Sequence, residues 1–407
     1  MNANRPVNRP HVVIIMADQL RYDVLGGPYT PHLNRLAQES AVFERAYCAS
    51  PLCVPARGAF FTGTYPNVSG CLINPWEPQD ARHGTVRAGV PNLYGLLERD
   101  WDSWNVGKQH FLTEEGIHRA ASGATRWIGG MKEYKQHLRD NGKRAPGGSR
   151  FKALVPEMAG GRITRAKAYS TPEVGLYEPG VDYYYDGFFT REAIAAIRRR
   201  DPDKPMLLNM MFLAPHPPFD IPDPWFSRYQ DADIELPDNV GRWADDQSPL
   251  QLYNLTGAIG ARYSRDEWRR IWRVYLGLVG LLDDCIGRIV NELKEQGMYD
   301  DSLILFTSDH GEMLGSHALW QKMCMYEESV RTPLMIKFPK SADLGADRFR
   351  RIADPVSAVD VLPTLCDYLG IEPPAGMNGT SLMPLVRGET LAREHLFIQF
   401  DGNGARG

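Results

Sequence analysis

Cys53 is followed by Pro55 and Arg57, and the run continues Gly58-Ala59-Phe60-Phe61-Thr62-Gly63. A proline two residues after the cysteine suits the first turn of a helix, where a missing N–H costs nothing. Cys53 then sits at the positively polarised N-terminus, and Arg57, one turn on, faces the same way. A nucleophile beside a guanidinium at a helix start makes an anion site that can also do chemistry. The bland alternative is a buried thiol with a solvated arginine, and the rest of the chain has to decide between them.

Four strand-like apolar runs hand over to polar, ligand-type residues. His11–Met16 leads into Ala17-Asp18-Gln19, and Trp104-Asn105-Val106 into Gly107-Lys108-Gln109-His110. Met206–Leu213 leads into Ala214-Pro215-His216-Pro217-Pro218, and Leu303–Thr307 into Ser308-Asp309-His310-Gly311. Ligands in open α/β sheets bind where strands end and loops converge, so four such hand-overs point to one crevice. Asp18, Asp309 and His310 offer two carboxylates and an imidazole, and Gln19 adds a carbonyl oxygen. That donor set suits Ca²⁺, Mg²⁺ or Mn²⁺ better than a thiolate-seeking ion. Taken singly, each Asp reads equally well as a helix N-cap, His216 as a loop histidine and Lys322 as a snorkelling lysine. The prolines on either side of His216 favour a positioned role.

A fifth apolar run, Leu334–Phe338, ends without a polar cluster. Helical patterns occupy Phe188–Arg200, Asp266–Gly297 and Val359–Leu369; Trp268, Trp272 and Leu276 in the long one have core spacing. Short apolar runs alternating with helical patterns predict an α/β sheet. Residues 112–182, rich in Gly, Arg and Lys, read as an insertion or long loop, as does the proline tract Pro215–Pro224. Leu396–Phe400 reads as a further strand.

The chain has 407 residues and a net charge of -4, which argues against a nucleic-acid surface. Val12–Met16 is too short for a signal segment or membrane span, so a cytoplasmic protein with no membrane partner is expected. Six cysteines without CxxC spacing fit reduced thiols rather than a zinc cluster or disulfide framework.

The run Leu52-Cys53-x-Pro55-x-Arg57 resembles the recognition sequence of sulfatases, whose cysteine is oxidised to formylglycine before use. The resemblance extends to Val12–Gln19, Leu52–Gly63, Gly107–His110, Pro215–Pro217, Thr307–Lys322 and Asp360-Val361-Leu362-Pro363-Thr364, in the family's order. It implies an alkaline-phosphatase-like fold: a mixed, mostly parallel sheet sandwiched by helices, with a small and apparently truncated C-terminal sheet. The corresponding domains are 1–390, catalytic, and 391–407, the start of the second sheet. It implies Asp18, Gln19, Asp309 and His310 as metal ligands, Ca²⁺ being the first choice. Arg57, Lys108, His110, His216 and Lys322 match positions that hold the sulfate and move protons around the residue derived from Cys53. Asn74 lies where choline-sulfatase-like and phosphonate-hydrolase-like members carry a substrate-contacting Asn, a match of spacing alone. Asp360–Thr364 reads as a helix cap. Asp401 and Arg406 are candidates for a substrate pocket.

The expected reaction is hydrolysis of a small-molecule or saccharide sulfate ester, with phosphonate monoester or phosphodiester hydrolysis as the alternative on the same scaffold. A shielded, anionic sulfur needs charge neutralisation and a strong nucleophile. Arg57, Lys108 and Lys322 with a divalent ion supply the charge. His216 or Lys322 protonates the leaving oxygen, and His110 is the candidate base. A maturation enzyme for Cys53 is implied as a partner, and a homo-oligomer is left open.

Overall fold

The computed structural model describes residues 9–75, 82–117, 123–159, 162–344 and 349–401. Twelve strands are found among them: β1 His11–Asp18, β2 Ala41–Tyr47, β3 Asp102–Gly107, β4 Arg126–Ile128, β5 Lys152–Ala159, β6 Arg162–Ser170, β7 Val174–Leu176, β8 Met206–Pro215, β9 Phe219–Ile221, β10 Ser302–Ser308, β11 Arg331–Lys337 and β12 Arg351–Ser357. Eight form one sheet in the order β12-β2-β11-β10-β1-β8-β3-β4, in which β11 alone runs against the others. This is the mixed, mostly parallel sheet expected.

The four strands with polar hand-overs, β10, β1, β8 and β3, are consecutive neighbours and all parallel. Their C-terminal ends therefore lie along one edge. β1 reads as a continuous buried run because both its faces are covered. Val13, Ile15 and Ala17 face a core shared with the helices Tyr185–Arg198 and Arg265–Glu295. Val12, Ile14 and Met16 face one shared with the helices Cys53–Thr62 and Val361–Leu369. The 31-residue helix Arg265–Glu295 starts on a Ser264/Glu267 capping box and buries Trp268, Trp272 and Leu276, as their spacing predicts.

Residues 112–182 are more ordered than expected. They hold β4, the helix Met131–Asp140, the antiparallel pair β5–β6, and β7. The helix buries little beyond Tyr134 and Leu138, so its apolar stripe is too sparse to register as periodicity. β5 and β6 pair with each other rather than with the main sheet and leave Leu154 and Ile163 exposed, so apolar residues also occupy outward positions. The proline tract contains the short β9, paired with β7.

The strand expected at Leu396–Phe400 is irregular backbone. Its bonds run to a loop and a short helix, not to a strand: Gln399 N–H donates to Ala49 O, and Asn67 N–H to Gln399 Oε1. Asp401 is exposed, and Arg406 lies outside the described residues. Asp360 precedes the helix Val361–Leu369 without a side-chain cap bond to it; instead it closes a capping box with Ser357 on the turn Ala358–Asp360, accepts from Thr380 N–H and is forked by Arg393. Among the described residues no helix is long and apolar enough to cross a membrane.

Candidate active site

Cys53 is the first residue of its helix, and Leu52 before it is extended. The Cys53 Sγ lies 3.2 Å from His310 Nε2 and 3.9 Å from Asp18 Oδ1. Arg57, one turn on, reaches the same carboxylates. Its Nη2 donates to Asp18 Oδ2 at 2.9 Å, its Nε to Asp309 Oδ2 at 3.0 Å and its Nη1 to Lys108 O at 3.1 Å. Lys108 Nζ adds a 2.6 Å bond to Asp18 Oδ2. Four chain segments are thus locked together by charge-assisted bonds, the stronger class of hydrogen bond.

The donor set fits a divalent cation. One ligand atom each from Asp18, Cys53, Asp309 and His310 falls within a 4.8 Å cluster. The Oδ2 atoms of both acids are engaged by Arg57, while Asp18 Oδ1 faces the cysteine and Asp309 Oδ1 lies 3.6 Å from His310 Nε2. His310 Nδ1 lies 3.0 Å from Gly311 O, which can only accept; the ring proton therefore sits on Nδ1 and Nε2 is left as a ligand. Burial opposes the charge of Asp18, yet Lys108, His216 and Arg57 outweigh it and hold its carboxyl well below the usual range.

Gln19 extends the cluster. Its Oε1 accepts from Lys322 Nζ at 2.5 Å, its Nε2 donates to Glu312 Oε2, and its backbone N–H donates to Asp309 Oδ1. An amide between a donor-only lysine and a carboxylate has its orientation decided, with the carbonyl toward Lys322. Of the six non-glycine residues with positive φ among those described, Gln19 is one, and Leu314, His317, Ala318, Gln321 and Met323 are the others. Such backbone costs of order 1–3 kcal/mol per residue and clusters at functional sites. Here it shapes the loop that delivers Lys322. Gly107 is needed for a different reason: at φ 97 a Cβ would stand 2.1 Å from Met211 O, and Lys108 N–H bonds that same carbonyl.

Two imidazoles have their charged form disfavoured. Burial, with Lys108 nearby, drives both His110 and His216 well below the ordinary histidine range. A neutral ring can take a proton, which suits His110 as a base. Burial and Asp18 work to raise the Cys53 thiol, but Lys322, Lys108 and His310 bring it below its ordinary value. The other five cysteines are all pushed up by burial, so Cys53 is electrostatically singled out.

Asn74 serves the helix that carries Cys53. Its Oδ1 accepts from Val54 N–H at 3.0 Å, satisfying an amide of the Cys53 helix start. Two neighbours had no sequence signal strong enough to name them. Glu312 binds Gln19 and Leu314 N–H; its place two residues after His310 was the available hint. Arg21, wholly buried, donates to Glu312 O, Met313 O and Ser316 Oγ and so clamps the Lys322 loop.

The sulfatase family model matches residues 10–371. The chain belongs to the sulfatase family. With that membership comes its class, a sulfuric ester hydrolase. The choline-sulfatase of Rhizobium meliloti is 30% identical over 93% of this chain and 72% of that protein. The multifunctional alkaline phosphatase superfamily protein PehA of Trinickia caryophylli is 30% identical over 97% of this chain and 81% of its own. Among solved structures, the phosphonate monoester hydrolase of Agrobacterium radiobacter superposes with a TM-score of 0.74 at 25% identity, covering 94% of this chain and 78% of that one. The central sheet flanked by helices is shared with it.

Proposed function

We propose that this sulfatase hydrolyses sulfate monoesters of small molecules or saccharides after Cys53 has been oxidised to formylglycine by a maturation enzyme. The observation that carries this is the placement of Cys53 at a helix start, 3.2 Å from His310 and among Arg57, Lys108 and Lys322. The hydrated aldehyde would attack sulfur with one hydroxyl and, through the second, release sulfate with cleavage of its own C–O bond.

Asp18, Gln19, Asp309 and His310 would hold the cation; their oxygen donors suit Ca²⁺, Mg²⁺ or Mn²⁺, and the sulfatase resemblance makes Ca²⁺ the first choice. When bound, the cation would supply Lewis-acid charge at the nucleophile and the sulfuryl oxygens. Arg57 and Lys108 orient Asp18 and Asp309 and line the anion space with positive charge. Lys322 or His216 gives a proton to the departing alkoxide, and His110 takes one from the second hydroxyl. Free cysteines throughout fit the cytoplasm as its compartment.

Two outcomes follow from these roles. Lys322→Ala should lower kcat by about 10²-fold or more, measured with an aryl sulfate, because a buried charge facing the developing anion is lost. Asp309→Asn should weaken Ca²⁺ binding together with rate; unchanged metal content by atomic spectroscopy would remove Asp309 from the ligand set.

The second reading, a phosphonate monoester or phosphodiester hydrolase, draws on the likeness to the Agrobacterium radiobacter enzyme. Side-by-side turnover of an aryl sulfate and an aryl phosphonate monoester separates the two. Faster sulfate hydrolysis is expected; phosphonate hydrolysis faster by orders of magnitude would replace the first reading with the second.

A further inference from the structure

Asp186 lies near the start of the helix Tyr185–Arg198 and is wholly buried. Its carboxylate serves the backbone of a different element. Oδ1 accepts from Leu213 N–H at 2.7 Å and from Ala214 N–H at 3.2 Å, and Oδ2 also accepts from Ala214 N–H at 3.2 Å. Those amides lie where the sheet loses register. β1 and β8 pair residue by residue from Val12–Leu207 to Met16–Met211, and then Asp18 stands opposite Pro215. Phe212, Leu213 and Ala214 therefore oppose Ala17 alone, a bulge that takes their amides off the ladder. On the other side, pairing of β8 with β3 ends at Met211 and Gly107. A buried amide left unpaired costs about 1–3 kcal/mol, so some acceptor has to come from outside the sheet.

The bond path continues beyond the bulge. Leu213 O accepts from His216 N–H at 2.9 Å. The His216 Nδ1 lies 2.6 Å from Pro217 O, an acceptor, which places one ring proton on Nδ1; the proton to be given is then a second one on Nε2, carried by the imidazolium that a bound anionic ester would favour. The Asp186 carboxylate is thus joined to the His216 backbone through one residue, Leu213, which donates to the first and accepts from the second.

We propose that Asp186 is a positioning residue for His216, its carboxylate fixing the 212–214 bulge so that the imidazole is aimed at the oxygen of the leaving alcohol. This rests on the reading of His216 as a proton donor. A carboxylate is an expensive choice for mere packing here: burial pushes it up to about 7 against the pull of its two amide donors. An asparagine can keep the two bonds to Oδ1 but turns an NH₂ toward Ala214 N–H, where Oδ2 now accepts.

The test is a double-mutant cycle on the matured, metal-loaded enzyme with D186N, H216Q and the pair together. Each is assayed with a sulfate ester of a good leaving group, a nitrophenol, and one of a poor leaving group, a primary alcohol. General-acid help matters most for the poor leaving group. D186N is expected to lower kcat on the alkyl ester by about 10- to 100-fold with KM little changed, to spare the nitrophenyl ester, and to add nothing once H216Q is present. An equal loss in both backgrounds, or on both esters, overturns the inference while leaving the role of His216 intact. Unchanged alkyl ester turnover by H216Q alone removes both. Should D186N fail to fold, D186E keeps both acceptors but displaces them by one methylene and goes through the same cycle with the same expected pattern.

Discussion

Cys53→Ala is expected to lower kcat/KM by about 10⁴-fold or more while leaving the fold in place. The loss is large because no neighbouring group can substitute. Among the described residues, the nearest thiol candidates are buried and pushed away from the thiolate form, whereas Cys53 alone sits among Lys322, Lys108 and His310. The structural cost is small because only one sulfur is removed at a helix start, of the order of 1 kcal/mol. Helix formation itself rests on Leu52, the Asn74 bond to Val54 N–H and the Gly63 C-cap, none of which involves the cysteine side chain. Thermal melting and steady-state kinetics on the same preparation check both halves. Strong destabilisation with partial activity retained would make Cys53 a packing residue.

Arg57→Ala is the second large effect, and it falls on stability as well as rate. Arg57 is 1% exposed and forms ion pairs with Asp18 and Asp309, both fully buried at their side chains. Removing it leaves two carboxylates facing each other with Lys108 on one of them. Breaking a buried pair by deleting one partner costs about 3–5 kcal/mol, because the remaining charge has lost its compensation. The loss should be largest with a chelator present and smaller with excess Ca²⁺, since a bound cation takes over part of the neutralisation. Arg57→Lys should recover little, as an ammonium lacks the fork that spans both acids and the Lys108 carbonyl. Denaturant unfolding with and without Ca²⁺ measures this. A deficit independent of the cation would place Arg57 outside the metal cluster's electrostatics.

Much of the site could be read before the fold because its residues stand at strand ends. Asp18, Lys108, His216 and Asp309 each follow an apolar run, and those runs became β1, β3, β8 and β10, neighbours in one parallel block. Strand order is invisible to local pattern, so their adjacency had to come from the structure. The supporting residues were harder to see. Asp186 sits in Tyr185-Asp186-Gly187 at a helix start, where an acid normally means only a favourable dipole contact. Its use for a bulge in β8 depends on a register shift that no sequence window contains. Arg21 and Glu312 likewise look like surface charges until the Lys322 loop folds over them. Asn74 was named from spacing, and its bond to Val54 N–H, which supports the helix that carries Cys53, is likewise visible only in the structure.

The 112–182 segment escaped notice for a related reason. β5 and β6 leave the apolar Leu154 and Ile163 exposed, and the helix Met131–Asp140 buries two side chains, so hydrophobic period carried little information there.

Peptide mass spectrometry across residues 50–60, on protein expressed together with a formylglycine-generating enzyme, tests the central claim most directly. The predicted result is residue 53 as formylglycine, in proportion to the active fraction of the preparation. A fully active enzyme in which residue 53 is still an unmodified cysteine would contradict it.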